Sequence, residues 1–219
     1  MQAIVEWVDL SWGHSACGMV KNVNARARVL ALLAVFCCSF ILASAQDQAS
    51  VEGPGIDRAL VARALAGDAP SMLLVAKAYA AGSGVDQDDA IAANWYRKAA
   101  DLGNIEGEIR LAGCYRDGKG VSRDMTQAAT WYRKAAEQGE SAAQATLGSL
   151  YSVGQGVSRD DVEAYFWFDL AASSNGPNQE KYAANRQNVG TRITADDVAL
   201  VRQRVAKWKA AHGHRATGE

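Results

Sequence analysis

The sequence predicts an all-α fold, an α-α superhelix (solenoid) in which helix pairs stack side by side with capping helices at both ends. Three observations carry that prediction. The hexapeptide Trp95-Tyr96-Arg97-Lys98-Ala99-Ala100 returns 36 residues later as Trp131-Tyr132-Arg133-Lys134-Ala135-Ala136, and again, degraded, as Trp167-Phe168-Asp169-Leu170-Ala171-Ala172. A fixed period of that length is the mark of a stacked helical repeat. Independent columns keep the same register: Tyr79, Tyr115 and Tyr151; Gly82, Gly118 and Gly154; Gly84, Gly120 and Gly156; Val85, Val121 and Val157; Asp88, Asp124 and Asp160. Finally, the chain of 219 residues holds only three prolines and is rich in alanine, which loses no side-chain entropy in a helix.

The chain opens with segments that lie outside the repeat. Residues 1–18 carry no export feature, and Met19 is expected to be the true start. Arg26 and Arg28 precede an apolar run from Val29 to Leu42, broken only by Ser39, and Ala43-Ser44-Ala45 follows. A basic region, an apolar stretch and an A-x-A site make 19–45 a secretory signal peptide, cleaved after Ala45. The 14-residue apolar run falls short of the roughly 20 residues of a membrane span. The mature chain is therefore expected to be periplasmic or secreted, without stable membrane insertion, an uncleaved anchor being the alternative. Cys17, Cys37 and Cys38 fall in the removed part. That leaves Cys114 without an intramolecular disulfide partner. It aligns with Ala78 and Leu150 and reads as a small buried hydrophobe.

A linker, 46–55, leads to an N-terminal capping helix within 56–68. Gly67-Asp68 holds the place of Gly103-Asn104, so Ile56–Ala66 reads as a lone second-type helix. The full units are 69–104, 105–140 and 141–176. Their first helices are predicted at 69–81, 105–117 and 141–153, with Val75, Leu111 and Leu147 four residues before the tyrosines. Ala76, Ala112 and Gly148 lie three before, so an aliphatic, a small and an aromatic residue share one face. The Gly-x-Gly-Val segment stops the helix, since glycine accepts the left-handed backbone needed there. The second helix opens at Asp88, Asp124 and Asp160, with Gln127 and Glu163 at capping-box spacing. Ala92, Ala128 and Ala164 allow close helix approach, and Trp95, Trp131 and Trp167 face them with bulk. Gly103 and Gly139 end this helix. Capping helices should fill 177–210: a first-type helix at Gln179–Gln187, then one opened by Thr194 and running to about Ala210. Val198, Val201, Val205 and Trp208 share a face of the last. Residues 211–219 read as a disordered tail. Closed ends are expected because each unit of a solenoid touches only its neighbours.

Leu/Val-Ala/Gly-x-x-Tyr in the first helix, the Gly-x-Gly-Val turn, the capping aspartate and Ala-x-x-Trp-Tyr-Arg-Lys-Ala-Ala resemble the Sel1-like repeat family, relatives of the tetratricopeptide repeats. The resemblance covers about 68–176, and Thr194–Trp208 is similar to the terminal helix of many members. It implies three Sel1-like helix-turn-helix repeats. The family includes periplasmic regulators, secretion and polysaccharide-assembly scaffolds and host-interaction factors. A cysteine-rich branch is associated with β-lactam binding or hydrolysis. The paired cysteines of that branch are missing here, so its activity is not carried over.

The residues that could bear chemistry mostly have structural explanations. A formal net charge of -1 argues against binding nucleic acid. His14 lies near the start, and His212 and His214 fall in the terminal tail, so no histidine is expected in the folded body for acid–base work or metal. No serine has the setting of a nucleophile. No catalytic residue, cofactor or metal is expected, and the protein reads as a non-enzyme. The repeated aromatics read as core, the Arg-Lys pairs at 97–98 and 133–134 as a solvated face, and the aspartates as caps. The expected function is a scaffold or adaptor that binds a protein or peptide on a concave face lined by the first helices. Positions outside the core there are Lys77, Glu106, Arg110, Gly113, Arg116, Thr146, Ser149 and Ser152. Arg110 and Arg116 lead, because arginine offers carboxylates a planar fork and suits interfaces. The alternatives are a periplasmic regulator restraining a membrane sensor or envelope assembly machine, and a hydrolase acting on cell-wall peptides or β-lactams.

Overall fold

The computed structural model describes residues 55–212. The expected export signal, the start at Met19, the cleavage after Ala45 and His14 lie outside the described residues, as do most of the linker and residues 213–219 of the tail, His214 among them.

Nine helices and no strand occur among the described residues: α1 Arg58–Leu65, α2 Ala69–Ala81, α3 Asp89–Asp101, α4 Ile105–Asp117, α5 Met125–Glu137, α6 Ser141–Val153, α7 Asp161–Ala172, α8 Gln179–Gly190 and α9 Ala195–His212. The first helices α2, α4 and α6 span the predicted residues, because both ends are fixed chemically. Asp68 and Asn104 accept from the backbone N–H of Ser71 and Gly107 at the entrances. Gly82, Gly118 and Gly154, at φ 68°, 71° and 71°, end the helices in the left-handed region that glycine enters without a Cβ penalty. In each unit Asp88, Asp124 or Asp160 then caps two backbone N–H groups of the second helix. The reciprocal half of the expected capping box does not form. The aspartates' own N–H groups donate to the carbonyls of Tyr79, Tyr115 and Tyr151 at 3.0, 2.9 and 3.0 Å, so Gln127 and Glu163 have nothing left to accept. A closed box forms instead at Thr194 and Asp197, each accepting from the other's backbone N–H.

Each helix packs on the next from α1 to α8, and α9 crosses back onto α7. Val75, Leu111 and Leu147 are wholly buried, as are Ala76 and Ala112. The three repeated tryptophans and Tyr79 are buried as expected, while Tyr115 and Tyr151 are half-buried. The second turn glycines join units. A Cβ on Gly84 would strike the backbone of Gly55, shortly before α1, and a Cβ on Gly120 or Gly156 that of Asp89 or Met125, the first residues of α3 and α5.

The Arg-Lys pairs correct the expectation of a solvated face. Arg97 and Arg133 lie over the rings of Tyr115 and Tyr151 on the next unit's first helix, 5.5 and 5.6 Å from the centroids, and donate to their hydroxyls. Lys98 and Lys134 sit over Trp95 and Trp131 of their own helices. A planar guanidinium both stacks and donates, so these arginines tie unit to unit. At the last junction the polarity reverses: Asp169 accepts from Arg186 of α8.

Both ends depart from the inner pattern. In α1 the tryptophan column holds Ala59 and the next alanine column Arg63, both exposed, and only Ala64 is buried. Helices α8 and α9 run three and two residues past their expected ends. Val201 and Val205 of α9 bury themselves, whereas Val198 and Trp208 are half-buried. Phe166, at a position held by exposed Asn94 and Thr130 in the other units, is 2% exposed, with Arg204 at 3.9 Å over its ring. His212 is the last helical residue rather than part of the tail, stacked on Trp208 at 4.2 Å. No helix among the described residues is long and apolar enough to cross a membrane.

Candidate binding cleft

The first helices carry the expected binding columns, and they converge on α4. A cleft of about 540 Å³ opens between the first two units. Glu106, Arg110, Gly113 and Arg116 line it from α4, Asp89, Ala92 and Tyr96 from α3, and Tyr132 from α5. Gly113 makes the room: a Cβ there would meet nothing within 4 Å. The same column holds Lys77 in α2 and Ser149 in α6.

The charges form two clusters. Glu106 receives Lys77 at 2.7 Å across the unit boundary and Arg110 at 3.3 Å one turn along its own helix. The hydrogen bond from Lys77 holds its carboxyl below the usual range. Arg116 directs Nε and Nη2 at the Asp117 carboxylate, at 2.8 and 2.9 Å, and Nη1 at the Tyr132 hydroxyl, at 3.1 Å. Its fork is therefore committed inside the protein. Arg110 makes a single long contact and lines the cleft. Of the two leading arginines, Arg110 has more uncommitted donors.

Thr146, Ser149 and Ser152 do not join this group. Their hydroxyls donate back to carbonyls of their own helix, Ala142, Ala145 and Ser149, at 2.8, 3.0 and 3.1 Å. Such back-bonding satisfies a helical hydroxyl locally. Cys114 is half-buried and walls the cleft, instead of being a core hydrophobe. Burial, with Asp89 and Asp117 nearby, pushes its thiol pKa up, which disfavours the nucleophilic thiolate. A second cleft, of about 550 Å³, lies where α9 meets the third unit. Its arginines are engaged: Arg133 by Tyr151, Arg159 by Asp161 and Arg204 by Glu163.

Two cleft residues escape a reading of the first helices alone. Tyr96 is 5% exposed, and its hydroxyl has no hydrogen-bond partner among the described residues. Burial raises its pKa, with Arg110 opposing and Cys114 and Glu106 assisting, so these neighbours surround the hydroxyl. Asp89 has no ion pair among the described residues, and its charge is felt at Cys114.

The Sel1 repeat model matches residues 69–104, 105–140 and 141–176, the three units of the structure. A Sel1 repeat protein from Oxalobacter formigenes, of known crystal structure, is 34% identical, with a TM-score of 0.54, over 59% of this chain and 95% of its own. The protein c5321, a protective antigen present in uropathogenic Escherichia coli strains displaying an SLR fold, is 28% identical over 70% of this chain, with a TM-score of 0.54. The match spans 40% of that protein. No curated protein matches the sequence.

Proposed function

Because the chain belongs to the Sel1 repeat family, we propose that it is a protein-interaction scaffold holding one segment of a protein or peptide in the cleft on α4. Sel1 repeat proteins generally mediate protein–protein interaction. The observation that carries the reading is the open place at Gly113, beside the unused donors of Arg110 and the unpartnered hydroxyl of Tyr96. Room and convergent polar groups are what a recognition site needs. With three units the cleft suits a short segment better than a large assembly. On the same reading the scaffold works outside the cytoplasm, in the periplasm or secreted, which the basic, apolar and A-x-A segments of 19–45 support.

The test is capture of a partner from periplasmic extract by the purified chain and by Gly113→Phe. The substitution fills the cleft and removes a glycine from a helix interior, so α4 should form at least as well. Capture should be lost while the helical circular dichroism is kept. Undiminished capture by the filled variant would overturn the assignment of the cleft.

A further inference from the structure

The repeats supply their own controls, since every side chain can be compared with its counterpart one unit away. In the second unit the buried Tyr132 hydroxyl accepts from Arg116 Nη1 at 3.1 Å. One unit earlier the arginine's column holds Ala80, and the equally buried Tyr96 has no hydrogen-bond partner among the described residues. A second column tells the same story. Asp161 of the third unit pairs with Arg159 at 3.0 Å and with Arg192 at 2.8 Å. Its counterpart in the first unit is Asp89, where Gln87 stands in the column of Arg159 and no ion pair forms among the described residues.

Ala80, Asp89, Ala92 and Tyr96 all line the one cleft. Asp89, Ala92 and Tyr96 stand at spacings of three and four residues, which is one stripe of α3. Helical side chains lean toward the N-terminus of their helix, so the Tyr96 side chain leans toward the turn of α3 that Ala92 and Asp89 occupy. The other acids of the cleft are committed, Glu106 to Lys77 and Arg110, and Asp117 to Arg116. Asp89 is the acid left over.

We propose, on the reading that this cleft binds a partner segment, that the segment presents an arginine side chain. Its guanidinium takes on Tyr96 the place that Arg116 takes on Tyr132, donating to the Tyr96 hydroxyl and to the Asp89 carboxylate. Five donors in a planar fork suit a hydroxyl and a carboxylate set along one helix face. Arg110, Arg116 and Lys119 border the same cleft.

The experiment is calorimetric titration of the purified chain with the doubly capped peptide Ala-Arg-Ala-Ala, and with the same peptide carrying citrulline or glutamate in place of arginine. Citrulline keeps the shape and loses the charge. The arginine peptide should bind at least about tenfold more tightly than the citrulline peptide, as expected of hydrogen bonds to charged groups. The glutamate peptide should bind no more tightly than the citrulline peptide. Ala80→Arg installs the residue that the second unit carries at this place, so it should fold and abolish binding. Asp89→Asn should weaken binding about tenfold, with its melting temperature recorded separately because an acid in the first turn also favours the helix. No difference between the arginine and citrulline peptides at millimolar concentration overturns the proposal, as does unchanged binding by Ala80→Arg. The wider scaffold reading falls on a different result, undiminished partner capture by Gly113→Phe.

Discussion

Gly118 and Gly120 stand two residues apart in one turn, with nearly equal φ of 71° and 69°, yet alanine should be tolerated very differently at the two places. At Gly118 a Cβ would find its nearest neighbour, the Arg123 Cβ, at 3.4 Å, so alanine meets only the left-handed backbone. That conformation costs a non-glycine residue about 1–2 kcal/mol. At Gly120 the same Cβ would lie 1.8 Å from the Asp89 carbonyl oxygen and 2.3 Å from its carbon. Ordinary contact begins near 3.4 Å, so the start of α3 must retreat from the turn. Overpacking of this kind adds about 1–3 kcal/mol, for a total of about 2–5 kcal/mol. Because the contact joins the first unit to the second, Gly120→Ala should also loosen their coupling, and the stability of a solenoid resides in such interfaces. Urea unfolding followed by circular dichroism reads both effects, as a lower midpoint and a broader transition. Gly156→Ala, whose Cβ would lie 2.0 Å from the Met125 oxygen, should repeat the result one unit on. Equal losses for Gly118→Ala and Gly120→Ala would refute the close-approach reasoning.

Three further outcomes are expected. Asp124→Ala removes the acceptor of the Thr126 and Gln127 backbone N–H groups, at 2.9 and 3.0 Å, and should cost about 1–2 kcal/mol. A thermal scan should show a drop of about 2–8 °C, and no drop would mean that solvent caps the helix equally well. Glu108 is 3% exposed, and burial raises its carboxyl pKa against the lowering hydrogen bond from Gln138. The folded state thus holds this proton longer than the unfolded chain, so stability falls as pH climbs from the ordinary carboxylate range through the raised folded value. Glu108→Gln, which installs the residue found at Gln144 one unit on, should raise the urea midpoint at neutral pH, with an advantage that shrinks toward acid pH. A constant advantage would remove burial of the charge as its cause. Phe166→Thr, copying Thr130, should weaken the docking of α9 by about 2–4 kcal/mol and speed amide exchange around Val201 and Val205. Unaltered exchange there would show that the ion pairs alone hold α9.

Where a single residue decides the backbone, the sequence was a sufficient guide. Left-handed glycines and side-chain caps bound each first helix locally, and α2, α4 and α6 begin and end at the residues that pattern marks. Destinations of long side chains were harder to read. Whether Arg97 meets water or Tyr115 depends on how two units stack, which no local pattern records. The capping box at Asp124 failed for a related reason, since Tyr115 on the preceding helix claims the N–H first. In the cleft, Glu106, Arg110, Gly113 and Arg116 were legible as non-core positions of α4, whereas the hydroxyls of α6 are satisfied within their own helix. Tyr96 was hidden because its column is core elsewhere, and Asp89 because it follows the cap Asp88 in the first turn of α3. The signal lay in what faces them: alanine at 80 against Arg116, and glutamine at 87 against Arg159. The return of α9 onto α7 likewise had one trace, a phenylalanine at 166 where the other units place Asn94 and Thr130.

Asp169 and Arg186 reverse the polarity of the two junctions before them, and that reversal bears on how three similar units find their order. The inner junctions are interchangeable, each a guanidinium reaching forward to a tyrosine hydroxyl. A collapsing chain with only such junctions could dock α8 behind α5 as readily as behind α7. In that misordered stack Arg186 would confront Arg133, and Asp169 would be left without its cation. Like charges repel where the correct pair attracts, so the error carries an electrostatic penalty. The last junction thus distinguishes the third unit from its near-copies by the sign of the charge it carries forward.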